Sequence, residues 1–554
     1  MRKRRMVAPV AASLSAALLA AGCGGGGGSA VTEATGTLED PITVQWAEPQ
    51  SELVPTNSND TNGSQVLNPM FTGLVEYDPK SFEPKNAMAE SIELSDDKKT
   101  YTVKLKQGWK FHNGEEVTAD NFVRAWNYGA YAGNAQQNAD MFKAIQGFDA
   151  VHPADPDGES GPKKPPEPSA EKMSGLKVVD DHTFTITLKK PFSVFTTKLG
   201  YQAFSPMPET FFEKKEEFVK NPVGNGPYKF ESRTPQQSLT LTRYKDYKGE
   251  DAGSVDAVKL VVYNKAQTAY QDLKSDNLDV INVIPTSALA DNRWKDELGD
   301  RAISKPRMGI TVLNLPMYKE KFKNPDLRKA LSLAIDRDKI VKQVFNGEAT
   351  AATGWIAPDF PGGPDKGSCG EWCNYDKAKA KEYLQKAGGF DGQLTLSYNA
   401  DGAHKQWITA VAGSIRDTLG IKVGLNAVPT FGTYQDQMDN DEMTGPFRYG
   451  WVADYPTPRT FLKPLYTSSG SANNTGYSSE KFDNLIAKAD KAATVDKANQ
   501  LYNEAASQLG KDVPSIPLFT NAVKGATSNR LAEGTLNSRT VPAISTFKVA
   551  QAGE

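Results

Sequence analysis

Arg448-Tyr449-Gly450-Trp451-Val452-Ala453-Asp454-Tyr455-Pro456 is the stretch on which the reading of this chain turns. It is an apolar, β-prone run with an ionisable residue at either end, and Pro456 and Pro458 stop it abruptly. Side chains of a strand alternate between its faces. Arg448, Gly450, Val452 and Asp454 therefore share one face, and Tyr449, Trp451, Ala453 and Tyr455 the other. A cation, an anion and a glycine on one face do not suit a core strand. They suit an edge strand facing a zwitterionic ligand, which offers an ammonium, a carboxylate and a backbone. The competing reading is an edge strand with a structural ion pair or a capping aspartate.

The surrounding sequence alternates between strand and helix patterns. Upstream, Leu394, Leu396 and Tyr398 alternate along 393–399, and a helix over 405–419 follows. Residues 374–388 read as a helix capped by Asn374, with Tyr383, Leu384 and Ala387 inward and Gly388 as its stop. The run from Asn324 to Phe345 reads as one strong helix. Asn324 is its cap, Pro325 its first residue, and Leu327, Ala330, Leu331, Ala334 and Ile335 its apolar face. Downstream, helices are predicted near 478–492 and 495–509, followed by a short strand in Val513-Pro514-Ser515-Ile516-Pro517-Leu518-Phe519.

The N-terminal half carries strands at Ile42–Trp46, Tyr101–Leu105, Phe184–Leu188, Leu239–Leu241 and Val258–Val262. Between them, Thr118 is a helix cap with Asp120 in the first turn and Phe122, Val123 and Trp126 on the apolar face. Residues 69–95 read as loops and small elements, and 152–170, rich in Pro, Gly and charge, as an exposed loop. At 554 residues the chain exceeds one hydrophobic core, so two or three lobes of α/β or mixed type are expected. There is no internal repeat.

RYGWVADYPTPRTFL (448–462) resembles the signature of the oligopeptide-binding proteins of ABC importers, extracytoplasmic solute-binding protein family 5. Further matching segments are AESIELSDDKKTYTVKLKQGWKFHNGEEVTADNFVRAW (89–126), NPVGNGPYKF (221–230), LRKALSLAIDRDKIV (327–341) and YDKAKAKEYLQKAG (375–388). The resemblance runs from about residue 42 to 520. It implies an α/β, bilobal periplasmic-binding-protein-like fold (type II, large class) with an extra third lobe. Lobe I would comprise 40–66, 175–307 and 516–554. Lobe II would be inserted at 67–174, and lobe III, 308–515, would carry the ligand strand 448–455, with hinges near 307 and 515.

The resemblance also implies roles at the central stretch. Asp454 would hold a peptide α-ammonium, and Arg448 would lie near the ligand's carboxyl end. The backbone of Gly450 and Val452 would pair with the peptide backbone, a β-augmentation blind to side chains. Trp451 and Tyr455, on the other parity, line the pocket or pack in the core. The implied function is capture of short peptides outside the membrane by a monomer, without cofactor, and delivery to an ABC permease and its ATPase subunits.

Composition is that of an ordinary soluble globular protein. Hydrophobic residues make up 38% and charged residues 24%, which excludes neither lobe count nor class but shows no disordered bias. The net charge is −3, or −7 once residues 1–22 are removed, so no nucleic-acid surface is indicated. Arg2-Lys3-Arg4-Arg5 and the apolar run from Val7 to Ala21 read as a signal peptide, 1–22, too short for a membrane span. Its end, Leu18-Leu19-Ala20-Ala21-Gly22-Cys23, resembles a bacterial lipobox, although Ala20 stands where leucine is usual. Cys23 is therefore the expected lipidation site, the alternative being ordinary signal-peptidase cleavage nearby. Residues 23–40, with Gly24–Gly28, form the flexible tether of a lipoprotein held on the extracytoplasmic face of the cell membrane. Cys369 and Cys373 then remain as a pair in an oxidising compartment, which favours a disulfide over two free thiols.

No catalytic pattern stands out. There is no G-x-S-x-G, H-E-x-x-H or Walker motif, and His112, His152, His182 and His404 are scattered, which leaves no obvious base for a triad and no metal cluster. His112 reads as structural, and Gly224-x-Gly226 is not a phosphate cradle. The alternatives are the same fold binding a cello-oligosaccharide or a metal chelate, and, further off, an extracellular hydrolase. The charges of Asp454 and Arg448 favour a zwitterion over a neutral sugar, and the absence of nearby histidines disfavours nickel.

Overall fold

The alternating runs become strands that sort into three main sheets. A computed structural model describes residues 35–154, 165–364, 366–401 and 404–550. The signal peptide, Cys23, the glycine tether and the middle of the 152–170 segment lie outside the described residues. The first sheet has seven strands, in spatial order Ala302–Pro306, Ala522–Thr527, Val280–Ile281, Ile42–Trp46, Ala257–Val262, Ser238–Arg243 and Tyr228–Thr234. Ile42–Trp46 runs parallel to both of its neighbours. Ile42, Val44, Val258, Leu260 and Val280 are fully buried there, as expected of strands covered on both faces.

The second sheet orders six strands as Thr350–Ala351, Ser515–Thr520, Gly309–Asn314, Phe447–Val452, Gln393–Asn399 and Lys422–Val428. The third has four, Ala89–Leu94, Thr100–Leu105, Thr183–Thr187 and Leu176–Asp180. The helix Ala119–Ala130 lays Phe122 and Trp126 on this third sheet, Phe122 stacking on Phe184 at 5.8 Å. Pairing carries the four-stranded sheet to Thr187 and the six-stranded sheet to Thr520.

The chain passes from the first sheet to the second between Pro306 and Gly309 and returns between Thr520 and Ala522. The two crossings touch: the Arg307 N–H donates to the Asn521 C=O at 2.9 Å.

Two helices differ from expectation for the same reason, a cap inside the predicted run. The helix begun at Pro325 ends at Leu333, because Asp336 accepts from the Lys339 N–H and starts a second helix, Arg337–Val344. The helix expected from Asn374 begins at Lys377, capped by Asp376, whose side chain accepts from the Lys379 N–H. Aspartate at these positions offers a better-placed acceptor than the earlier residues. Thr61–Met70 is also helical, although Pro69 and two asparagines mask a helix pattern in its sequence.

Glycine and histidine in NPVGNGPYKF and its neighbourhood have packing roles. A Cβ on Gly224 would lie 1.9 Å from the Met70 carbonyl oxygen, so only glycine fits. His112 Nδ1 accepts from the Gly224 N–H (3.2 Å) and its Nε2–H donates to the Gly226 C=O (3.0 Å), which fixes the tautomer. Cys369 and Cys373 are joined in a disulfide. The Cys373 C=O accepts from the buried Arg337 guanidinium (2.9 Å), which also donates to Pro517 in the second sheet.

Candidate ligand-binding site

Phe447–Val452 is interior in strand order, yet one of its edges is largely open. It pairs antiparallel with Gly309–Asn314 along its whole length, Gly309 opposite Val452 and Asn314 opposite Phe447. Its other neighbour, Gln393–Asn399, meets it only at Ser397 opposite Phe447. The Ala453 N–H donates to Met308 C=O, whereas the Arg448 C=O faces the other way and accepts from the Tyr434 hydroxyl at 2.8 Å. In an antiparallel ladder, N–H and C=O of one residue point to the same side and alternate along the chain. Gly450 and Val452 therefore aim their backbone groups outward, at the open edge. Gly450 is exposed, and the nearest atoms to a Cβ built on it lie at 3.7 Å or beyond, so the approach is clear.

Asp454 ends this edge. The Asp454 N–H donates to Thr460 Oγ1 at 3.2 Å, which ties the turn to the helix Arg459–Tyr466. Among the described residues its carboxylate has no ion-pair or hydrogen-bond partner. Burial pushes its pKa up, and the charges of Arg539 and Lys198 offset this only in part. Lys198 is itself drawn down to about 8, by burial first and then by Arg459, with Asp454 opposing. Its ammonium is spent on the Met141 C=O (3.1 Å). The site thus holds a partly buried carboxylate with diffuse counter-charge and no direct partner.

Arg448, at the far end, is positioned from three sides. Its Nε–H donates to Asn399 Oδ1 at 2.8 Å, and its guanidinium lies 5.4 Å from the Phe431 ring and 5.7 Å from the Tyr434 ring. Phe431 is 44% exposed beside it, an unusual position for a large aromatic. Burial and the Arg448 charge together draw His404 down to about 4, so the imidazole next to Arg448 is neutral at neutral pH. Asp454 lies six positions after Arg448, about 20 Å of extended chain.

The remaining sequence candidates divide. Val452 is half-buried, and its outward backbone belongs to the open edge. Trp451 is half-buried against the main core, and its indole N–H has no partner among the described residues. Tyr455 is buried, its hydroxyl accepting from Arg459 Nη1 at 3.0 Å. Arg459 in turn stacks on Phe192 at 3.8 Å and pairs with Asp490 at 2.7 Å, and Lys463 joins the same carboxylate at 2.6 Å. Burial pushes Asp490 up, but Arg459 and Lys463 outweigh it and hold the carboxyl below its usual range. This buried cluster anchors the turn that presents Asp454.

A cleft of ≈ 1280 Å³, part of it open solvent, has none of residues 448–455 in its lining. Tyr77, Tyr201 and Arg539 line it, and the charge of Asp454 reaches both tyrosines. Sequence reasoning missed Lys198, Tyr201, Asn399, Phe431, Tyr434 and Arg539, since each stands far from the central stretch in sequence and carries no motif. Among the described residues no group of three or more His, Cys, Asp or Glu is placed to hold a metal ion.

Residues 83–473 match the family model of the bacterial extracellular solute-binding proteins, family 5 Middle. The chain belongs to this family. Family 5 proteins bind solutes for transport outside the cytoplasm and are not enzymes as a class. The periplasmic oligopeptide-binding protein OppA of Salmonella typhimurium is 31% identical over 471 residues, covering 82% of each chain. The Bacillus subtilis oligopeptide-binding protein OppA is 27% identical over 484 residues, 84% of this chain and 85% of that one.

Solved structures show the same mixed α/β, bilobal periplasmic-binding fold. The unliganded open form of the periplasmic murein tripeptide-binding protein MppA matches with a TM-score of 0.80 at 24% identity, over 92% of this chain and 97% of that one. Haemophilus influenzae OppA in complex with RPPGFSPFR matches with a TM-score of 0.67 at 22% identity, over 92% and 99%. Among the described residues of this family 5 chain, no helix is long and apolar enough to cross a membrane.

Proposed function

We propose that this family 5 protein captures short peptides outside the membrane and delivers them to an ABC permease with its ATPase subunits. The observation that carries the reading is an unpaired backbone edge at Gly450 and Val452 ending in a carboxylate without a partner at Asp454. The peptide α-ammonium pairs with Asp454, a charge-assisted hydrogen bond worth about 1.5–3 kcal/mol. Gly450 and Val452 exchange backbone hydrogen bonds with the peptide, which tolerates any side chain. Arg448, poised by Asn399, Phe431 and Tyr434, answers a carboxylate farther along the ligand. Trp451 packs against the core behind this edge, and Tyr455 supports the turn from within the protein. Relatives named for oligopeptide and dipeptide binding support a peptide over a sugar or a metal chelate.

The mature protein on this reading is a monomeric lipoprotein, lipidated at Cys23, tethered through 23–40 to the extracytoplasmic face of the membrane. It has three lobes built on the three sheets, and the touching crossings at Arg307 and Asn521 are the hinge about which lobe III closes on the ligand. Native mass spectrometry of the gently purified protein tests the function. A ladder of co-purified masses matching peptides of a few residues is expected. A single discrete adduct, a sugar or a metal complex, would overturn the peptide reading.

A further inference from the structure

Beyond the two crossings, the seven- and six-stranded sheets are tied together by side chains. Residues 289–298 pack on the seven-stranded sheet through Trp294 and Leu298, which share a buried cluster with Ile281 and Ala526. Residues 346–348 lead into Thr350–Ala351, the edge strand of the six-stranded sheet, which pairs with Ser515–Thr520. Asn292 Nδ2–H donates to the Asn346 C=O (2.9 Å), and Asn346 Nδ2–H donates to the Leu289 C=O (3.2 Å). Glu348 pairs with the Lys295 ammonium (2.5 Å) and accepts from the Ser304 hydroxyl (2.8 Å). The Glu348 side chain is 5% exposed, so the pair is shielded from water on the carboxylate side.

The alternation of side chains along Ala302–Pro306 shows which side of the crossings this tie occupies. Ser304, on one face, meets Glu348. Lys305, on the other, donates to the Pro79 C=O (3.2 Å). From there contacts lead to the ligand strand. The Tyr77 hydroxyl donates to the Thr197 C=O (2.6 Å), and the Lys198 ammonium lies 5.8 Å from the ring of Tyr455, the residue after Asp454. The Lys305 face therefore looks to the ligand side, and the Ser304 face away from it. A rotation that brings two lobes together on one face of their hinge draws them apart on the other. Closure on a ligand pulls Glu348 away from Lys295 and Ser304, and Asn346 away from Leu289 and Asn292.

We propose that Asn346 and Glu348 form a latch behind the hinge, which stabilises the open, ligand-free arrangement and so lowers peptide affinity from outside the binding site. The inference rests on the peptide reading and on the crossings at Arg307 and Asn521 as the hinge. Part of the ligand's interaction free energy is offset by breaking the latch, and the apparent affinity falls below that of the closed form by the corresponding factor. Polar contacts suit such a latch, because the groups released are taken up by water and the motion stays reversible.

Calorimetric titration of the mature protein with Ala-Ala-Ala tests it on Glu348→Gln and Asn346→Gly. Asn346 has φ 52°, so glycine removes its side chain without backbone strain. Each variant is expected to bind the peptide roughly threefold to tenfold tighter than the unmodified protein, a gain that loss of a merely structural contact does not produce. Lys295→Gln should give a gain of its own and add little to that of Glu348→Gln, since both break the same ion pair. Unchanged or weaker binding in both Glu348→Gln and Asn346→Gly would overturn the proposal while leaving the peptide reading in place. If the unmodified protein binds no peptide, the peptide reading fails and this inference falls with it.

Discussion

Replacing Asp454 with asparagine keeps the size of the side chain and removes its charge, and the structure predicts opposite effects on binding and on stability. The bound peptide ammonium would lose a charge-assisted hydrogen bond of about 1.5–3 kcal/mol, which is roughly a 10- to 150-fold rise in Kd. The folded protein without ligand should lose nothing. Burial raises the Asp454 pKa, so its charged form is less favourable in the folded chain than in the unfolded one. The penalty is absent while the carboxyl is protonated in both states, begins as pH rises past the unfolded value and is complete above the raised folded one. Asp454→Asn should therefore melt at the same temperature as the parent in acid and no lower, or higher, at neutral pH. Calorimetric titration with a tripeptide and thermal melts at two pH values read both quantities. Unchanged affinity would refute the assignment, and so would a loss of binding accompanied by a loss of stability at neutral pH.

Arg448→Ala should weaken peptides with a free terminal carboxylate by roughly tenfold and leave their amidated counterparts nearly unaffected; equal losses would remove Arg448 from carboxylate recognition. His112 is held neutral by burial with its pKa drawn to about 4 from an ordinary 6.5. The unfolded chain takes up that proton near 6.5 and the folded chain only near 4, so stability falls as pH drops across this window, and His112→Gln should flatten the slope seen in urea titrations. Reducing the disulfide opens the short loop from Cys369 to Cys373, which should lower stability by about 2 kcal/mol with tripeptide affinity retained, because neither cysteine lines the cleft.

The fold was legible where local chemistry and tertiary packing agree. Tyr101, Val103 and Leu105 alternate because one face of their strand meets Phe184 and Ile186, and the same period appears in both sequence and burial. The helix over Lys405–Leu419 was legible to the residue, closed by Gly420 at φ 73°. The break at Asp336 was not, since periodicity continues across it and only the competing cap reveals it. At the site, Arg448 and Asp454 stood out because charge is rare at both ends of an apolar strand. That the strand is interior yet open along one edge depends on Gln393–Asn399 diverging after a single pair, which no sequence pattern encodes. Asn399 and Tyr434 reach the site from separate elements, and nothing in their local sequence distinguishes them from ordinary surface residues.

The proposed peptide capture depends on an ammonium held by Asp454, and N-acetylation of the ligand tests that contact without altering the protein. Titration of the ligand-free mature protein with a tripeptide and its N-acetylated form compares the two directly. The free peptide should bind and the acetylated one should bind at least about tenfold more weakly, with its backbone contacts intact. Equal affinity for both forms would contradict the central claim.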